Sequence, residues 1–113
     1  MHELSYAEGI IRVVRAQQKE QPFQRVLEIQ LGIGEYTGIV TDCLSEFFPY
    51  AAKDTPAEGA VLTYQTIKGE FHCKSCGTTG PADRKHACCA ACGSTDLVMT
   101  AGREFQILSL RVE

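Results

Sequence analysis

The residues whose spacing speaks most directly of chemistry are four cysteines in two pairs, Cys73-x-x-Cys76 and Cys89-x-x-Cys92, with twelve residues between the pairs. Two cysteines separated by two residues wrap a tight turn that offers both sulfurs to one ion at about 2.3 Å. A glycine follows each pair, Gly77 and Gly93, and relaxes that turn. Two such turns facing each other supply a closed tetrahedral shell with no open position for water or substrate, so the expected role is structural. Zn²⁺ is the default metal and rubredoxin-like iron the minor alternative. Two surface disulfides, or a dithiol redox pair, are the competing readings. Cys88 adjoins Cys89 but lacks an x-x-Cys partner and reads as a bystander thiol. His72 and His86 flank the knuckle where an imidazole could replace a thiolate; the plainer reading is exposed polar loop residues. Cys43, beside Leu44, reads as a small core residue.

The amino terminus offers a second ligating set. The bulky His2 disfavours removal of Met1, so the expected mature chain keeps Met1-His2-Glu3. The α-amine, the deprotonatable backbone amides and the His2 imidazole then share one short segment. Nitrogen-rich sets of this kind favour square-planar Ni²⁺ or Cu²⁺ over tetrahedral Zn²⁺. Amide deprotonation makes such binding pH-dependent. A solvated terminal histidine, or a polar group starting a helix, is the bland alternative.

The elements that must position these groups follow from the periodicity. Leu4, Ala7, Ile11 and Val14 form one apolar stripe, widened by Ile10 and Val13, which predicts a first helix. Ser5 and Glu8 offer a capping box, and Gln21-Pro22 ends the helix. Leu27, Ile29, Leu31 and Ile33 alternate with Glu28, Gln30 and Gly32, a strand with one face buried and one open. A second helix is predicted from about Val40, with Val40, Leu44, Phe47, Phe48 and Ala51 on one side. Pro49 should kink it or mark a restart. Ala60 to Lys68 reads as a second strand and Phe105 to Val112 as a third. The stretch between them is poor in large aliphatics and cannot build its own core, so its folding leans on metal. The expected fold is α+β: a three-stranded mixed β-sheet packed with two α-helices, plus a small four-cysteine zinc-ribbon-like domain inserted between the last two strands. The expected domains are 1–69 with 103–113, and 70–102.

Composition closes off other classes. The chain has 113 residues, 44% hydrophobic and 22% charged, with no run apolar enough to span a bilayer. The basic-then-apolar pattern of a signal peptide is missing, so the expected compartment is the cytosol, where cysteines point to metal before disulfides. The formal net charge of −3 gives no basic field for nucleic acid. Four thiolates around Zn²⁺ would take it to about −5. No Ser-His-Asp set, carboxylate pair or phosphate-cradling glycine loop appears, so no catalytic constellation is expected.

Several segments together carry a resemblance: the Met1-His2-Glu3-Leu4-Ser5 start, the strand ending Ile33-Gly34-Glu35, the Thr55-Pro56-Ala57-Glu58-Gly59-Ala60 segment, and the two C-x-x-C pairs with their twelve-residue spacer. With these the chain resembles the HypA/HybF family of NiFe-hydrogenase maturation proteins. The resemblance implies a nickel metallochaperone, not an enzyme. It implies Ni²⁺ at the amino terminus, with the His2 imidazole and backbone nitrogens of Met1 and Glu3 as ligands, and Zn²⁺ on Cys73, Cys76, Cys89 and Cys92. It further implies delivery to the hydrogenase large-subunit precursor with the maturation GTPase HypB, and service to urease accessory proteins in some bacteria. The alternative is a zinc-ribbon module for protein or nucleic-acid interaction, against which the knuckle offers Lys74, Arg84 and Lys85 but no aromatic residue for stacking.

Overall fold

The computed structural model describes residues 3–83 and 85–113. The chain runs through α1 (Glu3–Glu20), β1 (Val26–Gly34), α2 (Thr41–Ala52) and β2 (Val61–Ile67). It then passes through five short strands, β3 (Glu70–Cys73), β4 (Thr79–Gly80), β5 (Ala82–Asp83), β6 (Cys88–Cys89) and β7 (Leu97–Ala101), before closing with β8 (Phe105–Val112). The main sheet is mixed, three-stranded and ordered β2-β1-β8, with α2 as the crossover between β1 and β2. A second sheet, β4-β3-β7, and a ribbon, β5-β6, fill the interval between β2 and β8. Among the described residues no helix is long and apolar enough to cross a membrane.

The chain resolves into two compact units. One comprises the chain through Gly32, Gly38–Gln65 and Gln106–Glu113; the other comprises Ile33–Thr37 and Thr66–Phe105. The first holds the apolar core. Ile10, Val14, Val26, Ile29, Leu31, Leu44 and Phe48 are at most 2% exposed. Burying each such side chain contributes about 1.5–3 kcal/mol. The second unit buries Ile33, Cys73 and Cys89 as its apolar side chains among the described residues, and has no aliphatic cluster of that kind.

The predicted stripe of α1 needs a correction. Leu4 and Val13 are exposed, at 45% and 42%, and the buried face is Glu3, Ala7, Ile10, Ile11 and Val14. The buried face is turned toward Glu3, a carboxylate that the periodicity of apolar residues does not count. Ser5, exposed inside a helix that already includes Glu3, is not the N-cap. In β1 the alternation holds only in part. Val26 is buried and Leu27 half-buried, while Gly32 and Gly34 are buried too, because β1 lies between two strands at the centre of the sheet. Cys43 is half-buried rather than core. The helix α2 runs through Pro49 without a restart. Pro49 lacks the N–H that would reach the Ser45 carbonyl, and both residues are exposed, so water can serve that carbonyl.

Candidate metal centres

Each cysteine pair sits in a turn built the same way. Gly77 N–H donates to the Cys73 carbonyl at 2.8 Å, and Gly93 N–H donates to the Cys89 carbonyl at 2.8 Å. Both glycines hold left-handed backbone, φ +78° and +80°, which a Cβ would resist. The returning strand closes each turn: Cys73 N–H donates to Thr78 O at 2.9 Å and Cys89 N–H to Ser94 O at 2.8 Å. The first turn leaves β3, which β4 and β7 flank, and the second leaves β6. The two turns thus reach one point from opposite sides.

There the Sγ atoms of Cys73, Cys76, Cys89 and Cys92 all lie within 4.8 Å of one another. Cys73 and Cys92 sulfurs are 3.6 Å apart, and those of Cys76 and Cys89 are 3.8 Å apart. A tetrahedron with metal–sulfur bonds of about 2.3 Å has edges of about 3.8 Å, so the donor set fits one ion. A disulfide needs about 2.05 Å. All six cysteines are free thiols, and neither C-x-x-C pair opens a helix as a redox pair would. Cys73 and Cys89 are buried while Cys76 and Cys92 are exposed, so one edge of the centre faces water.

Electrostatics within the cluster favour metal over four bare thiols. The Thr78 hydroxyl, 3.2 Å from Cys76 Sγ, and the Thr78 backbone N–H hold the Cys76 thiol down to about 6. Backbone N–H groups of Cys92 and Ala91 lower Cys89. Cys92 goes the other way. The Ser94 N–H lowers it, but the neighbouring sulfurs of Cys73, Cys76 and Cys89, together with burial, outweigh that and push it up to about 12. Like charges this close cannot all ionise without a cation between them.

Other thiols and imidazoles stay outside the cluster. Cys88 faces Asp83 in the β5-β6 register and is half-buried. His72, on β3, has Nδ1 2.9 Å from Thr79 Oγ1, and His86 is exposed in the turn before β6. Of the amino-terminal set, Met1 and His2 lie outside the described residues. Glu3 opens α1 and is buried at 8% exposure, with Oε2 3.4 Å from the backbone N–H of Val40. Neither the apolar nor the ligating pattern of the sequence shows that side-chain contact. The available signal was its place four residues before Ala7 on the buried face.

Fold and site together define a small α+β protein with a four-cysteine cluster suited to one metal ion. Similar proteins sharpen that class. Residues 1–112 match the family model described as hydrogenase/urease nickel incorporation, metallochaperone, hypA. A hydrogenase maturation factor HypA of Dehalococcoides mccartyi is 36% identical over 113 residues, covering 100% of this chain and 95% of its own length. One from Methylocella silvestris is 34% identical, with 100% of both chains covered. Among solved structures, the solution structure of the Ni metallochaperone HypA from Helicobacter pylori superposes with a TM-score of 0.77 at 24% identity, covering 99% of this chain and 97% of that one. At that identity the likeness speaks for the fold alone. The chain belongs to the HypA family, the nickel-incorporation metallochaperones of hydrogenase maturation. By that membership it is a maturation factor.

Proposed function

We propose that this chain carries Ni²⁺ at its amino terminus and holds Zn²⁺ permanently on Cys73, Cys76, Cys89 and Cys92. Nickel binds the His2 imidazole with backbone nitrogens from Met1 and Glu3, a nitrogen-rich set suited to planar coordination of that ion. Residues 1–69 with 103–113 form the nickel-binding domain, and 70–102 form the zinc-binding domain. In the cytosol the chain delivers nickel, together with the GTPase HypB, to the NiFe-hydrogenase large-subunit precursor. Where the host makes urease, its accessory proteins are further recipients.

The observation that carries this reading is the family match across residues 1–112, which takes in the Met1-His2-Glu3 start as well as both cysteine pairs. Two chemistries are thereby separated in one small chain. The closed thiolate shell suits an ion that stays, since every donor is a side chain fixed by its turn. A planar nitrogen set suits an ion that leaves, since a partner's donor can complete or replace its shell during transfer.

Delivery is tested in a host lacking its own protein of this family. Wild-type chain should restore nickel-loaded hydrogenase only when HypB is present, and His2→Ala should fail while still accumulating with zinc bound. Restoration by His2→Ala would remove the amino-terminal route.

A further inference from the structure

The buried face of α1 begins with a charge. Glu3 is the buried charged side chain of the described residues, at 8% exposure, in the first turn of α1. A carboxylate there costs stability unless it is hydrogen-bonded, and α2 supplies the partner. The N-cap of α2 is Val40, which has no side-chain oxygen and makes no side-chain cap. Val40 N–H instead donates to Glu3 Oε2 at 3.4 Å across 37 residues of sequence, while the Val40 carbonyl accepts from Leu44 N–H at 3.0 Å. A capping box satisfies the N-cap N–H with a glutamate three residues onward in the same helix. Here a glutamate from the neighbouring helix takes that part. The positive end of the α2 dipole adds to the attraction. Asp42, in the first turn of α2, is exposed and complements the dipole without reaching inward.

We propose that the Glu3 side chain is a positioning residue for nickel: by capping α2 it fixes the Glu3 backbone nitrogen, one of the proposed ligands, against that helix without its carboxylate entering the metal shell. This rests on the amino-terminal nickel reading above. One ligating residue is thus anchored by its own side chain, so the planar set forms around one preset nitrogen. Pre-setting a ligand removes ordering cost from binding. The side chain and backbone of one residue thus serve two ends, the first structural and the second coordinating.

The test is nickel titration of tag-free, zinc-loaded protein carrying Glu3→Ala, Glu3→Gln, Glu3→Asp or His2→Ala, with the d–d spectrum and Val40 amide exchange recorded for each. Losing a buried hydrogen bond to a charge predicts about tenfold weaker nickel binding in Glu3→Ala, with the band unmoved because the donors are unchanged. Glu3→Gln keeps an oxygen for Val40 N–H and should stay within about threefold of wild type. Glu3→Asp keeps the charge but falls short by one methylene, and should weaken binding and speed Val40 exchange as alanine does. Should Glu3→Ala fail to fold, the contrast between glutamine and aspartate decides. Wild-type affinity in both Ala and Asp would overturn the proposal. So would a Glu3→Gln variant as weak as Glu3→Ala with a shifted band, which would make the carboxylate a ligand. Unchanged binding in His2→Ala would overturn the amino-terminal site itself, and this inference with it. Lost binding in His2→Ala with full binding in Glu3→Ala would overturn this inference alone.

Discussion

Ser75 Oγ and Ser94 Oγ lie 2.8 Å apart and join the two cysteine turns outside the ring of sulfurs. Ser75 sits within the first C-x-x-C pair, and Ser94 follows the second, where its hydroxyl also accepts from Asp96 N–H at 3.1 Å. The link holds one turn against the other independently of any metal. Removing it from the exposed side, as Ser75→Ala, forfeits about 0.5–1.5 kcal/mol. Zinc retention against a competing chelator should therefore weaken roughly two- to tenfold, with the bound stoichiometry unchanged.

Zinc loading should release protons, and the number should depend on pH in a stated direction. At about pH 7 Cys76, held near 6, is already mostly thiolate, while Cys92, near 12, still carries its proton. Loading must displace the Cys92 proton at any such pH. At about pH 5.5 it must displace the Cys76 proton as well, so release rises and apparent affinity falls as the solution is acidified. Calorimetry in buffers of differing ionisation enthalpy reads that number. Equal release at the two pH values would contradict the assignment.

Gly34 and Gly77 should respond differently to alanine. A Cβ on Gly34 would overlap the Gly102 carbonyl, which is backbone and cannot swing away, and Tyr36 N–H donates to that same carbonyl at 2.7 Å. Gly77 has open space around it, and its constraint is the left-handed φ of +78° alone. Gly34→Ala should cost at least about 1–3 kcal/mol by overpacking, and Gly77→Ala about 1–2 kcal/mol from the backbone. Thermal melting of zinc-loaded variants should place Gly34→Ala lowest. A reversed order would contradict the close packing at Gly102.

Glu104 gives an acid-side signature. The backbone N–H of Gly102, at 2.6 Å from Oε1, then those of Glu104 and Arg103, hold its carboxyl below the usual range. A carboxyl whose folded pKa is depressed adds stability above its unfolded value of about 4.3, and that stability is lost as pH falls through the folded value. Glu104→Gln should flatten this part of the pH–stability curve while leaving neutral nickel binding intact. An acid limb unchanged by the substitution would contradict the bond.

Much of the fold was legible because its signals were local. Phe105–Val112 appears as written, and both long helices and the main strands fall where their periodicity puts them. The cysteine turns were legible in finer detail, since spacing and a trailing glycine dictate the geometry of one tight turn. The small sheet between them was not. In β7 only Leu97, Met99 and Ala101 are half-buried, and β4, β5 and β6 have two residues each, too short to display a period. Their pairing is fixed by the cysteine turns they flank, not by hydrophobic pattern. The rotation of α1 was hidden for another reason. Glu3 is buried and accepts from Val40 N–H, a partner distant in sequence that no scan along the helix reveals.

The central claim is that this chain binds nickel at its amino terminus while zinc stays on the cysteines. It is tested most directly by titrating Ni²⁺ into zinc-loaded protein with a free α-amine, by calorimetry with optical spectra, beside His2→Ala. The account predicts about one equivalent of nickel with a planar d–d band, absent in the variant, at constant zinc content. Nickel bound equally well by His2→Ala, or nickel displacing zinc from the four cysteines, would contradict it.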